Sequence, residues 1–486
     1  MSGLDPEDWN DLRALGHTML DDMFDRLEGL RETPVWQRLP DDLRQELRVA
    51  LPGQGMPAEA VYADFRRLVE PYSVGNAHPR FMGWVHGAGT GIGMLAELLA
   101  GGLNANLGGR DHAPIEVERQ VVRWAAEMVG MPPQSSGLLV TGSSMANMIA
   151  VLVARRHAAG PEVRAQGIGG RRLVGYAGVS AHGCVPRAFD MAGLGTDALR
   201  QVPCDAEHRI LLPALREAVR QDRAEGLRPF LVVGTAGSVD TGAVDDLAAL
   251  AVFCREQGLW FHVDGAFGAL AALSPRLRGQ LDGIALADSL ACDFHKWAQV
   301  PYDAGCVLVR DFTLQAQTFA QSLAYLTRAD RGVAANAPWP ADLGPDLSRG
   351  FRALKVWMTL KTYGAERLGR MVEECCDVAQ HLAARIRCEA SLELMAPVPL
   401  NIVCFRLIRE GADLDALNAE LVKDLHEAAI AVPSTTILDG RLAIRAAIVN
   451  HRTTRADVDA MIDGLLTLAQ GHPTQRATAR LQAGLA

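Results

Sequence analysis

An aspartate and a lysine stand 32 residues apart in the stretch 259–309, each where an apolar run ends. Trp260, Phe261 and Val263 lead into Asp264, and Asp293-Phe294-His295-Lys296-Trp297 follows the run Ser289–Cys292. A buried strand that brings a carboxylate to its carboxyl end, beside a second strand end that brings an amine, supplies what pyridoxal phosphate (PLP) requires. The lysine forms a Schiff base, and the acid keeps the pyridine nitrogen protonated so that the ring acts as an electron sink. Taken singly, the two residues read as a turn-capping Asp and an exposed Lys; the pair with its flanks points to the cofactor. A second candidate is the apolar run 137–140, the small-residue turn Thr141-Gly142-Ser143-Ser144 and the helical pattern after it. Such a turn presents free backbone N–H groups to an anion, or is an ordinary serine N-cap.

These groups need a scaffold, and the order of elements predicts an α/β fold with a mostly parallel sheet. Apolar runs at Leu173–Ala177, Phe230–Gly234, Trp260–Asp264, Ser289–Cys292 and Cys306–Val309 alternate with helical patterns at Val185–Ala192, Leu212–Glu225 and Val244–Gln257. Ligands of such sheets gather at the carboxyl ends of strands, where Ser143, His182, Thr235, Asp264 and Lys296 fall.

Residues 4–70 read as helices with Asp5 as the first N-cap, broken by Pro34, Pro40, Pro52 and Pro57. Few of these pieces could bury an apolar face alone, so the segment is expected to pack on another subunit or on the main domain. Residues 104–114 are polar and irregular, and a helix begins near Pro114 with Glu116 and Glu118 in its first turns. A long irregular segment at 312–349 suggests function. Two helices (350–362 and 364–387) lead to a small α+β unit with strands near 392–395, 402–407 and 442–447 and helices at 413–429 and 455–469. The predicted division is 1–75 (helical, dimerising), 76–370 (large PLP-binding domain), 371–470 (small domain) and 471–486 (tail).

A net charge of −9 argues against non-specific binding to nucleic acid or anionic membrane. The nine cysteines are scattered without a Cys-x-x-Cys pair, which suits reduced core thiols in a cytoplasmic protein. The N-terminus carries no apolar signal core, no apolar run reaches the ~18 residues of a membrane span, and no metal site is expected.

With these residues in place, the chain resembles the group II PLP-dependent amino-acid decarboxylases, the aromatic-L-amino-acid and glutamate decarboxylase family of PLP fold type I. The motifs are HPRF (78–81), TGSSMAN (141–147), AHGCVPRA (181–188), GTAGSVDTGAVDD (234–246), HVDGAFG (262–268), DFHKW (293–297), GFRALKVW (350–357) and IRAAIVNHRT (444–453). The resemblance implies that Lys296 is the Schiff-base lysine and Asp264 the partner of the pyridine nitrogen. It places Ala266 on one ring face and His182 on the other, where His182 can also move protons. Ser143, Ser144, Asp293 and His295 match phosphate-binding positions, and Thr235 matches a threonine near the ring substituents. Asp293 stands where some relatives carry Asn; an acid touching phosphate would be repelled, so its contact is expected through backbone or a neighbour. Arg445 is a candidate for the substrate α-carboxylate or a structural ion pair. The resemblance also implies a homodimer with shared active sites.

Two departures bear on the reaction. The segment 104–112 has Gly and Asn where aromatic decarboxylases carry bulky rings, so Asn106 and Arg110, with Trp84 and His86, are expected to line a pocket for a small or polar, even acidic, substrate. The family's mobile loop carries a proton-donating tyrosine, but 326–346 contains none; His182 or Tyr325 could take its place. The expected activity is decarboxylation of an L-amino acid. A decarboxylation-dependent aldehyde synthase is the alternative, and a catalytically silent PLP-binding protein a further one.

Overall fold

A computed structural model describes residues 3–321 and 327–472. After a two-residue strand β1 (Phe81–Met82), the chain builds a seven-stranded sheet from β2 (Ser136–Val140), β3 (Leu173–Gly178), β4 (Leu199–Val202), β5 (Arg228–Thr235), β6 (Trp260–Asp264), β7 (Ser289–Asp293) and β8 (Gly305–Val309). Its order is β2-β8-β7-β6-β5-β3-β4. Only β8 runs against the rest. The strands read as unbroken apolar runs because both sheet faces are covered. Leu138, Val140, Leu231, Val233, Val307 and Val309 pack into one core. Their neighbours Leu139, Val232, Val263, Leu290, Cys306 and Leu308 pack into the other.

The second sheet adds β9 (Leu392–Leu394), β10 (Ile402–Leu407), β11 (Val432–Leu438) and β12 (Arg441–Ala447) in the order β1-β11-β12-β10-β9. β1 pairs in parallel with β11 through Phe81 and Val432, which ties residues ahead of the large sheet to the small one. One helical rod, Arg352–Cys388, leads from one sheet to the other and kinks at Gly364, whose φ is 73°. The two helices read from the sequence are this rod on either side of the kink.

Three expectations change. The first long helix is Trp9–Glu28, and Asp8, not Asp5, caps it by accepting from Asn10 N. The segment 312–349 opens with a helix, Phe312–Phe319, because Asp311 caps it through Leu314 N. Glu118 is not a surface carboxylate serving a helix dipole. It is buried against Arg349, with Oε2 2.9 Å from Nη1, and the same guanidinium donates to the Leu107 and Leu139 carbonyls. That pair fastens the 104–112 segment to β2. Tyr325 and all but the first two residues of the tail lie outside the described residues.

No described helix is long and apolar enough to cross a membrane. All nine cysteines are free, and no cluster of potential metal ligands occurs among the described residues.

Candidate active site

The carboxyl ends of β2, β5, β6 and β7, with the turn after β3, open onto one cavity of about 500 Å³, a size that suits a small ligand. Ser143, Ser144, His182, Thr235, Asp264, Ala266, Asp293, His295 and Lys296 all line it, as do Trp84 and His86. Chain order explains the meeting: parallel strands put their loops on one edge, so residues 150 positions apart share a wall.

Lys296 Nζ lies 2.9 Å from Asp293 Oδ2. Burial opposes the lysine's charge, but the carboxylates of Asp293 and Asp264 outweigh it and hold the pKa above its ordinary value. Asp264 is buried and accepts from Ala266 N at 3.1 Å and from Asn147 Nδ2 at 3.2 Å. Burial raises its pKa, and nearby Lys296 works in the opposite direction. His182 Nδ1 accepts from Cys184 N at 3.1 Å. His295 Nδ1 accepts from Ala304 N at 3.0 Å, and burial lowers its pKa, so it stays neutral. Thr235 is held by its backbone N–H, which donates to Asp245 at 2.7 Å.

The loop before the helix Gly91–Leu103 forms the opposite wall. Trp84 adopts a left-handed φ of 50°, a strained conformation that needs support. Arg445 gives it, donating to the Trp84 carbonyl at 3.1 Å and to the Val239 carbonyl at 2.7 Å. Gly87 backs directly on the lysine loop: a Cβ there would sit 2.3 Å from the His295 carbonyl oxygen and 2.4 Å from that of Lys296.

Three residues singled out in the sequence stand away from this cavity. Arg445 lies behind the wall and braces it. Asn106 Oδ1 accepts from Gly108 N and Arg349 N at 2.9 and 3.0 Å. Arg110 stacks on Trp339, 4.9 Å from the ring centroid. The lining also holds residues the sequence did not single out, among them Cys184, Phe267 and Tyr302. The Tyr302 ring lies 4.4 Å from His295 and 5.8 Å from His86.

The family profile "Pyridoxal-dependent decarboxylase conserved domain" matches residues 40–408. This chain belongs to the pyridoxal-dependent decarboxylase family. It is 32% identical to the aromatic-L-amino-acid decarboxylase of Bacillus atrophaeus, over 95% of this chain and 96% of that protein. It is also 32% identical to the histidine decarboxylase of Drosophila melanogaster, over 93% of this chain and 54% of that protein. The crystal structure of Oryza sativa TDC with PLP and tryptamine superposes with a TM-score of 0.89 at 25% identity, covering 96% of this chain and 99% of that one. The decarboxylase therefore has PLP fold type I and is a PLP-dependent carboxy-lyase. Its cavity fits the cofactor: an amine is present for the aldehyde carbon, and Ser143 Oγ is a buried donor with no partner among the described residues. Among the described residues the buried acid Asp264 meets only amide and thiol donors within bonding distance, leaving a cationic partner to come from the ligand.

Proposed function

We propose that this enzyme decarboxylates an L-amino acid with a small or polar side chain, as a cytoplasmic homodimer whose chains share each active site. The observation that carries the reading is the convergence of Lys296, Asp264 and His182 on one cavity. Bound there, PLP supplies the electron sink that accepts the bond electrons when CO₂ leaves Cα.

In this reading Lys296 is the amine that holds the cofactor and yields its place to the substrate amine. Asp264 partners the pyridine nitrogen, Ala266 and His182 flank the ring faces, and Thr235 stands near the ring substituents. Ser143, Ser144 and His295 donate to the phosphate. Asp293 serves this region by holding Lys296, which avoids an acid-to-phosphate contact. Trp84 and His86 receive the substrate side chain. His86 Nδ1 is buried with no partner among the described residues, which favours a substrate with a polar group to satisfy it. Arg445 acts on the α-carboxylate end by fixing the Trp84 and Val239 backbone.

The dimer accounts for the segment that carries Asn106 and Arg110, which borders the second chain's site in this reading. Leu98, Leu99 and Leu103, beside that segment, are at least half exposed in one chain. With Trp9, Phe24, Val61 and Phe65 of the 1–75 segment they form the apolar surface the partner would cover. Aldehyde formation is the second reading, favoured by the absence of tyrosine from 326–346. A screen of CO₂ release over the amino acids, with product identification, tests the whole. Best turnover of a small, polar or acidic amino acid to its amine is expected. A strong preference for bulky aromatic substrates would overturn the substrate class, and aldehyde with ammonia and peroxide would establish the second reading. Sedimentation at a monomer's mass would remove the shared site.

A further inference from the structure

Behind Asp264 runs a buried chain of hydrogen bonds that the decarboxylation mechanism does not use. Asn147, in the first turns of the helix Ser143–Ala159, donates from Nδ2 to Asp264 Oδ2 at 3.2 Å. Its Oδ1 lies 2.6 Å from His262 Nε2. His262 Nδ1 lies 2.9 Å from Ser289 Oγ, and Ser289 Oγ accepts from Trp260 Nε1 at 2.8 Å. Asn147, His262 and Ser289 are all at most 1% exposed.

Donor counting fixes the direction of this chain. An ionised Asp264 offers only acceptors, so Asn147 must turn its NH₂ toward it and its oxygen toward His262. His262 must then carry its proton on Nε2, because a bare Nε2 would face Oδ1, acceptor against acceptor, at 2.6 Å. Nδ1 is left to accept from the Ser289 hydroxyl, whose own lone pair takes the Trp260 N–H, and the Ser289 carbonyl oxygen, 3.1 Å from the same nitrogen, receives no proton from it. This arrangement gives Asp264, the Asn147 amide and both ring nitrogens of His262 a partner of the right kind, and burial holds His262 neutral, with its pKa lowered to about 4. No charged side chain among the described residues is bonded to His262. Those whose charges act on Asp264 are Lys296, His182 and Asp293, and the Cys184 thiol, 3.9 Å away, is kept protonated by burial.

We propose that Asn147 and His262 are positioning residues that hold Asp264 ionised and in place as the partner of the cofactor's ring nitrogen. His262 fixes the orientation of the Asn147 amide, and the amide supplies a directed donor that favours the carboxylate over the acid in a dry site. The proposal rests on the reading of Asp264 as the ring-nitrogen partner.

The test uses holoenzyme carrying PLP labelled with nitrogen-15 in the ring, whose resonance reports protonation of that nitrogen directly. In Asn147→Leu and His262→Leu the resonance should move toward the deprotonated position. kcat should fall roughly ten- to a hundredfold with KM little changed, the range expected when a buried acceptor loses its donor. His262→Gln, which keeps an N–H for Asn147, should restore both readouts. A wild-type resonance in the leucine variants overturns the proposal, as does a glutamine variant displaced as far as the leucine one. If the leucine variants do not fold, Asn147→Ser, too short to reach both partners, replaces them: displacement supports the proposal and a wild-type resonance overturns it. Asp264→Asn separates the two layers. A wild-type resonance there overturns the reading of Asp264 itself, whereas displacement there with none in Asn147→Leu overturns only the relay.

Discussion

Asp293 gives one oxygen to Lys296 Nζ at 2.9 Å and keeps the other, Oδ1, buried without a partner among the described residues. The acid that precedes the lysine by three residues is thus its counter-ion, and it supports the charge that burial opposes. Only the neutral amine attacks an aldehyde, so this contact sets the pH at which the apoenzyme takes up its cofactor.

Asp293→Asn should lower the pKa of Lys296, since the carboxylate is what raises it. The rate of PLP uptake by apoenzyme, followed by absorbance across pH, should shift to lower pH in the variant. An unshifted profile would show that the pair does not govern the amine. Lys296→Ala should retain the fold by circular dichroism while losing the cofactor's visible band and all turnover.

Tyr302→Phe keeps the ring on His295 and removes only the hydroxyl. If that hydroxyl protonates Cα after CO₂ departs, kcat falls about a hundredfold, the usual yield of one positioned proton donor. KM should change little, and aldehyde should rise relative to amine. Unchanged kcat and product ratio would return the task to His182 or Tyr325.

Glu118 and Arg349 are both wholly buried, with side chains 4% and 1% exposed. Removing one partner strands the other's charge, so Glu118→Ala should cost about 3–5 kcal/mol in urea unfolding. Glu118→Leu combined with Arg349→Met should recover much of that loss. A single variant as stable as wild type would deny the pair a structural role.

Burial lowers the pKa of His78, His262 and His451 to about 4 each from 6.5. Across that window the unfolded chain binds protons that the folded chain refuses, so stability drops as pH falls from about 6.5 to 4. Each histidine contributes on the order of 3 kcal/mol to the total loss across the window. The unfolding midpoint of apoenzyme should therefore decline across this range, and His451→Gln should flatten the decline. A level midpoint in wild type would contradict the assignment.

The sheet was legible in the sequence where both faces are covered. Trp260–Asp264 matches its strand end for end, and the flanking runs differ by one or two residues. β4 and β11 were not legible. Leu199–Val202 places two polar residues in four, and Val432–Leu438 interrupts its apolar residues with Pro433 and three hydroxyl side chains. The cavity residues at strand ends could be read because parallel topology alone brings them together. Tyr302 could not, because its place over His295 depends on how the loop after the lysine folds back. Nor does spacing reveal that the Asn106 side-chain oxygen folds back on the backbone of Arg349, or that Arg445 gives Nε and Nη1 to carbonyls while Nη2 stays buried without a partner among the described residues.

The apposition of Gly87 on the lysine loop divides the substrate wall into two kinds of position. Side chains at 84 and 86 line the cavity, so a change there alters the lining first. Any side chain at 87 would press on the carbonyls of His295 and Lys296, so a change made there for a new substrate would also displace the chemistry. A library aimed at altered substrate range should diversify Trp84 and His86 and leave Gly87 untouched.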